Sequence, residues 1–299
     1  MRKVERLPFT VYDIVGYLAP GAATVWLIGA IAKWTGSASL LGFKPEHIFL
    51  FGNDALDVLV LGVVFLVAAY GVGYIVSYLS AVFVERLIIY DLGYPSGHLM
   101  AEPEPALASR GNYVKDQQAE HGLGKKILVY FVMWPAMPVH LFALWTKWIY
   151  SELRPLPPKI RQRIRDRYQW SEAGGETLEQ VGETEWFRVI EAYVLNNLHD
   201  VEVRSYNYVV IYGFIRSFMF IAVVSCWISA TALITAFLLN INPFNLTLAP
   251  HGIGLATLFL FGFFAITILY FAYVKFFRRY SQETLNGFAM ATRSTEERT

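Results

Sequence analysis

Six histidines and one cysteine are the side chains best suited to acid–base, metal or nucleophilic chemistry: His47, His98, His121, His140, His199, His251 and Cys226. No histidine stands three or four residues from another or from the cysteine, the spacing that puts two ligands on one helical face, so no metal centre is expected. Glu102, Glu104, Asp116 and Glu120 are dispersed through a Gly- and Pro-containing stretch and form no paired carboxylates of a recognisable kind. The phosphate-cradling, nucleophile-elbow and zinc-protease signatures are absent from the sequence. No catalytic residue, cofactor or metal is therefore assigned. His98, His140 and His199 are what a lipid-acting membrane enzyme built on this chain would have to use.

A sharper signal is a charge in an apolar place. Arg216 opens the longest uncharged run: 58 residues separate it from Lys275 without an Asp, Glu, Lys or Arg. A guanidinium inside a membrane segment is costly and marks a functional site or a buried pair. Asp13 at the start of the first apolar run and Glu85 at the end of the second are expected at the same depth, so Asp13, Glu85 and Arg216 are read as an intramembrane charge cluster. Asp13 is also placed to cap its helix.

These residues must be positioned by membrane-crossing helices. Hydrophobic residues make up 55% of the 299 and charged ones only 16%, against about 25% charged in a soluble domain. A bilayer core about 30 Å thick needs about 20 apolar residues in a helix. Four stretches qualify: 14–32, 58–84, 208–239 and 253–274, the last two forming a hairpin around Asn240–Asn245 and Pro250. Pro20-Gly21 predicts a loosened turn in the first. Ala69, Gly73 and Ser77 are spaced by four in the second, a small-residue stripe that permits close helix packing. The basic N-terminus precedes an uncleaved first span, because the apolar run continues past Ala22 and Ala23, where cleavage would fall. Cys226 is a small core residue of the third span.

Residues 127–146 are also uncharged. Making them a fifth span would export Arg154, Lys159, Arg161, Arg163, Arg165, Arg167, Arg188 and Arg204. With four spans, all of the 25 Lys and Arg except Lys33 and Lys44 stay on the cytoplasmic side, as the positive-inside bias requires. Segment 127–149, with Pro135, Pro138 and three tryptophans, is therefore read as re-entrant or interfacial. It lies in a cytoplasmic insertion, 85–207, between the first two spans and the 208–280 hairpin; 281–299 reads as a polar tail.

Within the insertion, Pro157-Pro158 opens a basic helix, 158–168. Ile160, Ile164 and Tyr168 recur at i, i+4 and i+8, and Lys159, Arg161, Arg163, Arg165 and Arg167 flank them. The five cations are expected to meet anionic lipid headgroups or a partner. Nucleic acid is not expected, since the aromatic interleaving it favours is missing. Residues 183–199 form a second amphipathic helix, with Trp186, Ile190 and Tyr193 on one face.

Three motifs occur together: Tyr12-Asp13-Ile14-Val15-Gly16-Tyr17-Leu18-Ala19-Pro20-Gly21, then Gly93-Tyr94-Pro95-Ser96, then Tyr212-Gly213-Phe214-Ile215-Arg216. In that order they resemble a loose group of uncharacterised bacterial four-span inner-membrane proteins. The resemblance implies a bacterial inner-membrane protein, sometimes found among phage-defence genes, and brings no established activity. Ser217 stands where the group's pattern has Asn.

The expected object is all-α: a polytopic membrane protein with four transmembrane helices, a re-entrant or interfacial segment and a small helical cytoplasmic domain, both termini cytoplasmic. Its expected function is that of a non-enzymatic, oligomeric membrane effector or signalling subunit that couples a cytoplasmic domain to the bilayer; the expected partners are the bilayer and its anionic headgroups, further copies of the chain and a cytoplasmic protein. A channel or transporter lined by 127–149, and a lipid-acting enzyme, are the alternatives.

Overall fold

The computed structural model describes residues 13–35, 55–101, 123–148, 152–170, 183–238 and 249–291. The 240–245 turn, the N-terminal cations and the Gly/Pro-containing stretch beyond Ala101 lie outside them. The described residues are helical, with no strand among them. In chain order the helices are α1 (Ala19–Thr35), α2 (Ala55–Ser80), α3 (Arg86–Leu92), α4 (Pro95–Met100), α5 (Leu123–Val132), α6 (Met137–Trp145), α7 (Pro158–Trp170), α8 (Glu183–Asn197), α9 (His199–Leu238) and α10 (Ala249–Met290). Four helical runs are long and apolar enough to cross a membrane: Ile14–Ile31, Leu59–Met100, Val201–Thr235 and Gly254–Met290. The chain forms two compact units. One holds residues 1–84, 133–136 and 213–269; the other holds 85–132, 137–212 and 270–299.

In the first unit, α1 is preceded by a π-helical stretch, Ile14–Leu18. Pro20 explains it: the ring carries no N–H for the carbonyl of Gly16, so the turn before it widens. Thr24 Oγ1 donates to the Pro20 carbonyl at 2.8 Å. One residue later, Gly21 meets α2 backbone to backbone. A Cβ at Gly21 would lie 1.7 Å from the Ala69 carbonyl oxygen, and one at Gly73 would lie 1.8 Å from that of Tyr17. Tyr17 packs on Tyr70 and Tyr74, with ring centres 6.0 and 5.2 Å away. The opening motif is thus a packing device, and Ala69 and Gly73 of the small-residue stripe are its counterpart on α2. Apolar burial contributes little where the surrounding medium is itself apolar, so such close packing is what joins helices there. The other face of α2 exposes Leu59, Val60, Val63, Val64, Phe65, Leu66 and Val67.

The second unit has an apolar core drawn from five helices. Leu99 and Met100 of α4, Ile164 and Tyr168 of α7, Trp186, Ile190 and Val194 of α8, Val201 of α9, and Leu285 and Phe288 of α10 are buried together. Each large side chain so buried from water contributes about 1.5–3 kcal/mol. The i, i+4 stripe of α7 and the Trp186–Ile190 face of α8 are the faces turned inward. Residues 281–290 are not a fraying tail. They continue α10, because Leu285, Phe288 and Ala289 recur at helical spacing and are buried. The buried hydroxyls among them use the helix's own carbonyls: Thr284 Oγ1 donates to Tyr280 O at 3.0 Å and Ser281 Oγ to Phe277 O at 3.4 Å.

The Gly-Tyr-Pro-Ser motif is a helix stop followed by a helix start. Gly93 ends α3 with φ 74° and ψ −172°, a region open essentially to glycine alone. Tyr94 is extended, as a residue before proline must be, and Pro95 takes the first turn of α4. Gly93→Ala should cost about 1–3 kcal/mol, seen as a lower unfolding midpoint in detergent. For the first unit, Gly21→Ala and Gly73→Ala should each cost about 1–3 kcal/mol, since the clash is with backbone that cannot rotate away. Gly62→Ala and Gly71→Ala, where an added Cβ meets nothing within 4 Å, should leave the midpoint unchanged or raise it.

Candidate functional site

α3 is apolar almost all round: Leu87, Ile88, Ile89, Tyr90 and Leu92 are buried. Asp91 is the carboxylate of this helix. It lies in the last turn, where the helix dipole disfavours a negative charge, so it needs donors from elsewhere. α5 supplies two from one face, four residues apart. Tyr130 Oη donates to Asp91 Oδ1 at 2.6 Å, and Lys126 Nζ lies 3.4 Å from the same oxygen. The Lys126 ammonium also sits 5.4 Å from the centre of the Tyr130 ring. α6 supplies the third: His140 Nε2 lies 2.8 Å from Asp91 Oδ2. Behind it, the hydroxyl of Tyr270 on α10 lies 2.7 Å from His140 Nδ1.

Because a carboxylate only accepts, Nε2 carries the proton of this histidine. In the neutral imidazole, Nδ1 then accepts from Tyr270. His140 and Tyr270 are fully buried, whereas Asp91 and Lys126 keep a partly open edge. The network therefore presents no free nucleophile or base to a substrate. It is a hydrogen-bonded clamp that ties α3, α5, α6 and α10 to one carboxylate.

The clamp sits beside a sharp bend. Gly124–Val132 and Trp134–Trp145 meet at 70°. Pro135 and Pro138 cause this: each lacks a donor and crowds the preceding turn, so α5 stops at Val132, a single 3-10 turn Trp134–Ala136 follows, and α6 starts afresh. Val129, Met133, Ala136, Val139, His140 and Ala143 are buried. Ile127, Leu128, Phe131, Leu141 and Phe142 face outward, with Trp145 80% exposed.

The histidines singled out in the sequence are not gathered into one site. His98 is buried and its Nε2 bonds the Leu92 carbonyl, bracing the stop between α3 and α4. His199 is exposed and lies 3.0 Å from Glu202. Of the three, His140 joins the clamp; His47, His121 and the His251 side chain lie outside the described residues.

Of the expected charge cluster, Asp13 and Arg216 belong to the first unit and Glu85 to the second. Arg216 Nε donates to Ser80 Oγ at 3.2 Å, a partner the sequence reading did not name. Ser80 gives its own proton to the Ser77 carbonyl at 2.8 Å, so its lone pairs face Arg216 and, at 3.5 Å, the hydroxyl of the buried Ser217. Asp13 makes no side-chain capping hydrogen bond, because its own backbone is already helical. It lines an apolar cavity of about 380 Å³ with Ile14, Leu18, Leu66, Val67 and Tyr70.

The five cations of α7 also separate. Arg161 is buried; its Nε donates to Leu156 O at 3.0 Å and its Nη1 to Ala101 O at 2.7 Å. Arg167 lies over Tyr193 and Phe288, 5.5 and 5.4 Å from the ring centres, and bonds Tyr193 Oη and the Ala291 carbonyl. These two guanidiniums bond carbonyls that flank helices within the unit. Lys159 and Arg163 stay at the surface, with Arg165 half-buried. Between the start of α9 and the end of α10 lies a cleft of about 570 Å³ that includes Asn197, His199, Arg204 and Glu283. Its main charges are already matched, Arg204 to Glu283 at 3.0 Å.

Comparison with known protein families, with curated proteins and with solved structures finds no match to this chain.

If the clamp is a unit, its members must be energetically coupled. A double-mutant cycle on Asp91→Asn and Tyr130→Phe should give a coupling of about 1–3 kcal/mol in detergent unfolding. A value near zero would show that the short Tyr130–Asp91 contact does not contribute.

Proposed function

We propose that this chain is a multi-pass protein of the bacterial inner membrane with both termini in the cytoplasm. It works as a non-enzymatic effector or signalling subunit, self-associating and responding to a cytoplasmic protein. The observation that carries this reading is the distribution of polarity on the bent segment. Its carboxylate partner, imidazole and phenols are turned inward, while Phe131, Leu141, Phe142 and Trp145 are turned out. A surface of that composition is suited to lipid rather than water. The resemblance of the three motifs to bacterial inner-membrane proteins supports the location, and its link to defence genes supports an effector role.

The helices supply the means. α9 and α10 are 40 and 42 residues long, about 60 Å each at 1.5 Å per residue, twice the apolar thickness of a bilayer. One end of each is apolar all round, and the other contributes Val201, Leu285 and Phe288 to a core of amphipathic helices. Signal reception in such a core and response in the apolar ends is the division of labour proposed. A transport path along 127–149 is less well supported, since Met133, Ala136 and Ala143 are tightly buried and His140 is committed at both nitrogens.

A Phe142→Cys variant carrying an environment-sensitive fluorophore tests the placement after reconstitution. Nitroxide lipids should quench it strongly and a water-soluble quencher weakly; the reverse order would place the segment in water. In the same liposomes, cross-linking should trap oligomers and a trigger should change dye permeability. Monomers that leave the bilayer unaltered under every trigger would remove the effector role.

A further inference from the structure

The last apolar run ends at Val274, and its Phe271 shares one face of α10 with Lys275, Arg278 and Arg279, at i, i+4, i+7 and i+8. Arg278 is only half-exposed, and its Nε is buried with no hydrogen-bond acceptor among the described residues. Its electrostatic neighbours make this worse. Arg279 and Arg154 repel it, and Glu152 alone of its named neighbours attracts it. Lys275, Arg279 and Arg154 are exposed, so cations gather around one partly desolvated guanidinium that is short of an acceptor among the described residues. Orphaned buried donors are costly and rare. Beside them, the Trp148 ring stands edge-on to Phe271 with centres 4.5 Å apart. An indole next to a cluster of cations at the end of an apolar helix is the composition of a headgroup-level site.

We propose that Arg278, together with Arg154, Arg279 and Lys275, binds a phosphate group. Arginine suits this chemistry because its planar fork presents two N–H donors to two phosphate oxygens at once. The phosphate's charge would relieve the repulsion among the three guanidiniums, and its oxygens would accept from a guanidinium left short of acceptors among the described residues. The phosphate comes either from an anionic lipid headgroup or from free phosphate. The site is separate from α7, whose Arg161 and Arg167 are consumed inside the second unit. It relies on the membrane reading only for the lipid source.

The test uses the full chain in phosphate-free detergent buffer, with thermal unfolding followed as phosphatidylglycerol, phosphatidylcholine or inorganic phosphate is added. Phosphatidylglycerol should raise the midpoint in a dose-dependent way and phosphatidylcholine should not, which identifies a headgroup site. An equal rise with inorganic phosphate identifies a free-phosphate site. In either case Arg278→Gln should weaken the apparent affinity about tenfold, as loss of one charge-assisted fork does. Should Arg278→Gln fail to fold, Arg154→Gln and Arg279→Gln, both at exposed positions, carry the same expectation. The proposal is overturned if neither phosphate source stabilises the protein, or if phosphatidylcholine acts as well as phosphatidylglycerol. It is equally overturned if the response survives these variants but is lost in Lys159→Gln with Arg163→Gln. A positive inorganic-phosphate result beside a water-accessible Phe142→Cys label would keep this site while removing the membrane placement, so the two can fail separately.

Discussion

A carboxylate at the wrong end of an apolar helix is the constraint to which the second unit answers. Asp91 is only partly hydrated where it stands, and the dipole of α3 opposes its charge. Three donors from two further helices meet it, and a fourth helix satisfies the imidazole behind. Once those distances are met, the position of α6 relative to α5 is largely decided, and with it the outward face of the bent segment. Prolines break the helix there; the carboxylate determines where the broken half goes.

Much of the helix inventory was legible because it rests on local rules. Pro158 starts α7 where a proline at a first turn should, and the Ile164–Tyr168 and Trp186–Ile190 spacings point to the faces that are buried. Asp91 was not legible. Its partners lie 35 to 49 positions away in the chain, and none of them is unusual in type. The available signal was indirect: an aspartate in a seven-residue helix with no other polar side chain but Arg86 and Tyr90 must find donors, and Lys126 and Tyr130 stand four apart. α10 was cut short in the sequence reading for a related reason. The charges from Lys275 to Arg279 look like the end of a helix, yet they occupy one side while Phe277, Leu285 and Phe288 continue the apolar stripe on the other.

The three motifs have different physical contents. The first is a proline that opens a π turn and a glycine that lets two backbones touch. The second is a left-handed stop and a proline start. The third places Tyr212 against the rings of Tyr273, Phe277 and Tyr280, at 6.1, 5.6 and 5.8 Å, and Arg216 on a serine hydroxyl. Each of the first two depends on a residue whose backbone freedom or lack of a donor no other side chain reproduces. The α7 cations show the converse: five similar residues at alternate positions divide between interior bonds and the surface, decided by which way each points.

Helix continuity has a mechanical meaning. The run from Leu59 to Met100 is jointed, by the π-helical stretch Ala81–Glu85 and by the stop at Gly93. α9 and α10 run without such a joint for 40 and 42 residues. A joint absorbs displacement locally, as a knee does; an unbroken helix passes an axial push or a twist along its length with little loss. The chain thus contains two long unbroken helices and one jointed run, which differ in bending stiffness.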